Sequence, residues 1–175
     1  FNINFYKALK LLMYRITMKW EITITDIEYE KCKGFAEKSS SSQREYRSGG
    51  TMMRNKNQIF FDTLRGKMGE IAIKKFLEQP PFNFKGIELD FKIYPRGVWD
   101  KEDFKISDKR FSTKTSKHFS RYLLLETKDL ERGDTYDYYI LVLVDEKKQT
   151  AQIAGYIPKN EMQTVSKKTL DLKKG

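Results

Sequence analysis

Residues 103–116, DFKISDKRFSTKTS, combine an acid and a lysine at a spacing that could support hydrolysis of a phosphodiester. Asp103 stands at the head of one predicted strand, and Lys114 lies between hydroxyl residues in the next. This reaction needs a carboxylate that holds Mg²⁺ beside the scissile phosphate. It also needs a cation that orients the attacking water and offsets charge in the transition state. Because adjacent antiparallel strands bring such side chains close together, we predict a site centred on Asp103 and Lys114.

Most of the elements that must position these residues are predicted to be strands. Segments rich in β-branched and aromatic residues, bounded by turn signals, indicate strands at 20–25, 86–95, 102–106, 110–116, 121–126, 136–145 and 150–158. The polar break Ser107–Lys109 suits a hairpin between the third and fourth of them. The almost continuously apolar run Tyr138–Val144 is typical of a central strand covered on both faces.

The remaining elements are predicted to be helices. Apolar periodicity predicts them over 26–38 and 62–78, and a last one over 160–172. A run of four serines, followed later by two glycines, predicts a flexible loop at about 38–50. The order of elements indicates an α/β or α+β fold, a mixed central β-sheet flanked by helices.

The helix over 62–78 carries a candidate site residue. Asp62 or Thr63 could cap its start, and two prolines follow its end. Glu70 lies mid-helix at the border of the buried face. Gly66 and Gly69 remove side chains where Glu70 could need close approach to a neighbour, although glycine costs about 1 kcal/mol relative to alanine inside a helix.

The length of 175 residues predicts one domain. We read residues 1–17 as an N-terminal extension and 18–175 as the domain, with its core at 62–162. Met18 would make a natural start, and the end at Gly175 could be a truncation.

The net charge of +10 indicates a polyanionic partner, and nucleic acid is the commonest in a cytosol. Between residues 105 and 121 six lysines and arginines face one acid, Asp108. We expect this hairpin region to contact the phosphates of DNA through Lys105, Lys109, Arg110, Lys117, His118 and Arg121. The aromatic residues Tyr136, Tyr138 and Tyr139 are expected to pack within the sheet.

Several classes of protein are excluded by composition. One cysteine, Cys32, and one histidine, His118, rule out an internal disulfide and multi-cysteine or multi-histidine metal sites. A lone buried cysteine fits a reducing cytoplasm. No apolar run approaches the roughly 20 residues that a membrane span needs.

The motifs GKMGE (66–70), Asp103 and STKTS (112–116) resemble the PD-(D/E)xK nuclease superfamily, which includes most type II restriction endonucleases. The later stretches YLLLETKDL, YDYYILVLVD and IAGYIPKNEM are similar to restriction-type members, so that the resemblance spans roughly 62–162. It implies a restriction-endonuclease-like core, with Asp103 as the metal-binding aspartate, Lys114 as the catalytic lysine and Glu70 as the helical glutamate that supports the metal site.

One position departs from the family pattern. Two residues before the lysine the family has Asp or Glu, and here stands Ser112, whose hydroxyl brings no charge to a hard cation. Glu70 or Glu126 could supply the missing acid, or the chain could be an inactive DNA-binding descendant. Glu126-Thr127-Lys128 is a competing acid-x-lysine register. We favour Lys114, because its spacing from Asp103 fits a single hairpin.

The resemblance implies an endonuclease that cleaves double-stranded DNA with Mg²⁺, for which Mn²⁺ could substitute, as part of a type II restriction system. Asp103 and Glu70 would hold the metal, with Ser112 acting through water. A palindromic target would favour a homodimer. The alternatives are a non-catalytic DNA-binding module on the same fold and a structure-specific or repair nuclease.

Overall fold

The computed structural model describes residues 20–41, 54–94, 103–117 and 136–163. Within these ranges two helices, five strands and a short 3₁₀-helix follow one another along the chain. They are β1 (Glu21–Thr23), α1 (Asp26–Ser41), α2 (Lys56–Glu78), β2 (Phe104–Ile106), β3 (Lys109–Lys117), β4 (Tyr138–Asp145), β5 (Thr150–Pro158) and the 3₁₀-helix Lys159–Gln163.

The five strands form one sheet in the order β1-β5-β4-β3-β2. Strands β3 and β4 are parallel, with Lys114 beside Leu141, whereas the other three pairs are antiparallel. The chain is therefore an α+β protein with a mixed sheet, as the order of its elements predicts. The hairpin predicted around Ser107–Lys109 is confirmed: Ile106 pairs with Lys109, and Ser107 adopts the left-handed conformation (φ 55°) in the turn.

Strand β4 is the middle strand of the sheet, which confirms the interpretation of its apolar run. Tyr138, Tyr139 and Ile140 are all buried, so this part is covered on both faces. Beyond them burial alternates, because Val142 and Val144 are buried while Leu141 and Leu143 are only partly so.

Helix α2 packs directly on the sheet, and α1 packs against α2. The contact is close at Gly69, where a Cβ would overlap Cγ2 of Thr115 and lie 3.6 Å from Cβ of Val142. Only glycine permits this approach. Met68 and Ala72 are fully buried beside it. The side chains of Thr113, Thr115 and Val142 thus face α2.

Helix α2 begins earlier than the apolar pattern suggests, so the predicted cap at Asp62 or Thr63 is wrong. Asn55 caps the helix: its side chain accepts from the N–H of Gln58, and the Gln58 side chain accepts from the N–H of Asn55. This is a capping box, which satisfies two backbone donors at once. Asp62 lies inside the helix and pairs with Arg54 and Arg65 at 3.2 and 3.6 Å.

The segment 86–94 is not a strand, in contrast to the prediction over 86–95. Two of its backbone carbonyls accept hydrogen bonds from α2 instead: Lys74 donates to Ile87 and Lys67 to Asp90, both at 2.6 Å. These two lysines lie two turns apart on one side of the helix. They take the place of two hydrogen bonds that a neighbouring strand would supply.

The start of the predicted loop at 38–50 is helical, since α1 continues to Ser41. Near the end of this helix, Ser40 donates its hydroxyl to the carbonyl of Glu37 at 2.8 Å. Of the last predicted helix, 160–163 belongs to the 3₁₀-helix. The rest of that helix, the predicted strand 121–126 and the extension 1–17 lie outside the described residues. In the described ranges, no helix combines the length and apolar character needed to cross a bilayer.

Candidate active site

The β2–β3 hairpin brings Asp103 alongside β3. Asp103 immediately precedes β2, and its N–H donates to the carbonyl of Phe111 at 3.3 Å. Its carboxylate accepts a short hydrogen bond from the N–H of Thr113. The Asp103 side chain thus accepts a hydrogen bond from a β3 N–H that would donate to a backbone carbonyl if β2 continued. The residue it binds, Thr113, lies between Ser112 and Lys114 in β3.

Alternation along β3 decides which residues share this site. Because Thr113 and Thr115 face α2, Ser112 and Lys114 lie on the opposite face of the sheet. Ser112 is buried, with only 2% of its surface exposed, whereas Lys114 is half-buried. Ser112 and Lys114 therefore share one face of β3, and the Asp103 carboxylate is bound to the backbone N–H of Thr113, the residue between them.

The parallel strand β4 adds an aromatic residue to this face. Tyr139 lies beside Ser112 in the register and is completely buried. The ammonium nitrogen of Lys114 lies 5.9 Å from the centroid of the Tyr139 ring, within the range of a cation–π interaction. Tyr138 faces the other way and stacks on Phe111, with centroids 5.1 Å apart.

Glu70 has a partner that the sequence interpretation did not assign. Its carboxylate forms an ion pair with Lys67, with Nζ and Oε2 2.7 Å apart and both side chains buried. The same ammonium donates to the carbonyl of Asp90 and lies 5.0 and 5.3 Å from the ring centroids of Phe35 and Phe91. Glu70 therefore lies at the junction of α1, α2 and the segment 83–94.

The cations predicted to contact DNA are divided between the two faces. Lys105 pairs with Arg110 across the hairpin, and alternation puts both on the face of Ser112 and Lys114. Lys109 and Lys117 lie on the other face. Lys109 is also within 3.9 Å of the Asp137 carboxylate and 3.7 Å of Asp108. His118 and Arg121 lie outside the described residues.

The donor set for a divalent cation is incomplete in the part of the chain that the structure describes. Within it, no three His, Cys, Asp or Glu side chains lie close enough to hold a metal ion together. Asp103 offers one carboxylate with Ser112 nearby, while Mg²⁺ is usually bound through one or two carboxylates together with waters and substrate phosphate. Glu70 is engaged by Lys67, and Glu126 is not among the described residues.

No family model, no curated protein and no solved structure matches the chain. Membership of the PD-(D/E)xK superfamily thus stays a prediction carried by the motif residues themselves.

Two residues that contact predicted site residues were not assigned to the site by the sequence interpretation. Lys67 stands three residues before Glu70 on a helix, a spacing that favours an ion pair and could have revealed it. Tyr139 had no such signal, because its position beside Ser112 depends on the parallel pairing of two strands separated by residues 118–137.

Proposed function

We propose that the protein is a metal-dependent endonuclease that hydrolyses phosphodiester bonds in double-stranded DNA, with a restriction-endonuclease-like core. The observation that carries this proposal is the Asp103 carboxylate bound to the N–H of Thr113, directly beside Lys114. A carboxylate and a lysine on neighbouring residues of one hairpin backbone are the kinds of group that phosphodiester hydrolysis requires.

In this proposal Asp103 binds the divalent cation, Mg²⁺ or Mn²⁺, and Lys114 orients the attacking water and offsets charge on the phosphate. The cation supplies charge neutralisation at the scissile phosphate. Lys105 and Arg110 share the face of Lys114 and would contact the DNA backbone. A further acid, such as Glu126, would complete the set. The restriction role and a homodimer on a palindromic target belong to this same proposal.

Cleavage of unmethylated phage DNA with Mg²⁺, Mn²⁺ or EDTA tests the proposal. We expect discrete fragments that require metal. Lys114→Ala and Asp103→Asn should each reduce cleavage by about 100-fold or more while the proteins stay folded. Asparagine is preferred at 103 because its amide oxygen can still accept from Thr113, so that only the charge is lost.

Two matched variants serve as controls. Lys148→Ala removes an exposed lysine in the β4–β5 turn, and Asp108→Ala removes an exposed acid of the hairpin turn. Both should retain cleavage. Full activity in Lys114→Ala and Asp103→Asn would overturn the assignment. Cleavage confined to branched substrates in a panel with linear DNA would favour a structure-specific or repair nuclease.

A second candidate is a non-catalytic DNA-binding module on the same fold. The burial of Ser112 favours it, because a packed hydroxyl stands where the family has its second metal-binding acid. This candidate predicts salt-sensitive DNA binding without cleavage under any divalent ion. A band shift that weakens with salt, together with intact DNA in every metal, would support it over the enzyme.

A further inference from the structure

Tyr139 is held firmly on the face of the sheet that carries Lys114. It belongs to the middle strand, is fully buried and lies directly beside Ser112 in the parallel register. Tyr136 packs edge-on against its ring, with centroids 5.7 Å apart and planes at 70°. A ring packed in this way cannot turn aside, so its position is set by the sheet.

The backbone of β3 restricts the position of the Lys114 ammonium much less than the sheet restricts the Tyr139 ring. A lysine side chain has four rotatable bonds, and a strand fixes only the direction in which the side chain leaves the backbone. The ammonium nitrogen nevertheless lies 5.9 Å from the Tyr139 centroid. An aromatic face attracts a cation through its quadrupole, most strongly where water is excluded.

We infer that Tyr139 is a positioning residue for Lys114, which uses its ring face to hold the ammonium over the site beside Asp103. The inference deepens the proposed function and rests on it for its kinetic consequences. The contact itself can be measured without any cleavage. Tyr139 would not touch DNA or metal, and its hydroxyl would play no part in positioning the Lys114 ammonium.

The kinetic test compares Tyr139→Leu, Tyr139→Phe and a matched control, Tyr138→Leu. The control removes the adjacent tyrosine of the same strand, which faces α2 and stacks on Phe111. We expect Tyr139→Leu to lower kcat by about 2- to 30-fold with an unchanged KM. Tyr139→Phe should restore kcat, and Tyr138→Leu should keep it.

A direct test uses the wild-type chain with ¹³C-labelled lysine ε-carbons, with the Lys114 signal assigned by Lys114→Arg. A nuclear Overhauser effect between the Lys114 ε-protons and the Tyr139 ring supports the inference, and it does so even if the protein cleaves no DNA. Its absence overturns the inference whether or not the leucine variant folds. Equal loss of kcat in Tyr139→Phe and Tyr139→Leu also overturns it, because the hydroxyl would then be the active feature.

Discussion

Lys67 and Glu70 form an ion pair of 2.7 Å in which each side chain is 8% exposed. The pair joins α2 to the segment 83–94, because the same ammonium also donates to the carbonyl of Asp90. Removing one partner of such a buried ion pair lowers the stability of the protein strongly, because the other charge is then left buried without compensation.

Lys67→Met should therefore destabilise the protein by about 3–5 kcal/mol, since it leaves the Glu70 carboxylate buried without its partner. The double variant Lys67→Met/Glu70→Leu should recover much of this loss. Urea denaturation measures both. As a control, Lys33→Met breaks an exposed pair with Glu30 (3.6 Å) and should change stability by less than about 0.5 kcal/mol. If Lys67→Met and Lys67→Met/Glu70→Leu were equally stable, the loss would not come from an unpaired Glu70 carboxylate.

The two glycines of α2 should respond in opposite directions to alanine. Gly66→Ala should stabilise by about 0.5–1 kcal/mol, because no neighbouring atom lies within 4 Å of the new Cβ. Gly69→Ala should destabilise by about 1–3 kcal/mol, because its Cβ overlaps Cγ2 of Thr115.

Adding Thr115→Ser to Gly69→Ala removes that methyl group and should restore part of the stability. The thermal unfolding midpoints of wild type, the two single glycine variants and the Gly69→Ala/Thr115→Ser double variant test these expectations. A Gly69→Ala variant as stable as Gly66→Ala would show that α2 is not held against β3 at this point.

Ser112→Asp should make folding depend on metal. The new carboxylate would be buried next to Asp103, so we expect Tm to fall by about 6–12 °C in EDTA, corresponding to roughly 3 kcal/mol. Mg²⁺ or Mn²⁺ should raise it again by binding the folded state. Ser112→Asn, which adds similar bulk without charge, is the control. The same rise in both variants would argue against a cation site at Asp103.

Glu28 should contribute a stability that is lost in acid. Burial raises the pKa of this carboxyl, but hydrogen bonds from Lys75 and from the N–H and hydroxyl of Thr25 outweigh it, so that the net pKa lies below its ordinary value of 4.5. A lowered folded pKa means that the stabilisation is present above 4.5 and disappears as the pH falls through the folded pKa.

The Glu28→Gln variant should therefore lose less stability than wild type when the pH is lowered below 4.5. The free energy of unfolding measured across this range tests the expectation. Identical slopes for the two proteins would show that the Lys75–Glu28 contact of 2.9 Å contributes nothing in solution.

Cys32 should be inert in the native protein. Burial, together with the negative charge of Glu70, raises the pKa of its thiol to about 12, so the reactive thiolate is scarce at neutral pH. We expect a thiol reagent to label no native protein within minutes and to label one group per chain in denaturant. Rapid native labelling would indicate that the α1–α2 contact opens readily.

Much of the local structure was predictable from the residues themselves. The hairpin at Ser107–Lys109, the middle strand over Tyr138–Val144 and the end of α2 before Pro80 follow from turn chemistry, apolar runs and helix stop signals. The antiparallel pairing that brings Asp103 to the backbone of Thr113 was predictable for the same reason, since a single tight turn separates the two strands. The start of α2 could also have been predicted from the Asn55–Gln58 capping box.

Tertiary structure alone decided two other features. Residues 86–94 alternate as a strand would, yet lysines of α2 bind the carbonyls of Ile87 and Asp90, and no local pattern distinguishes these two outcomes. Tyr139 reached Lys114 through the parallel pairing of β3 and β4. Periodicity and turn signals act over a few residues, whereas these contacts depend on which distant segments bury each other's surfaces.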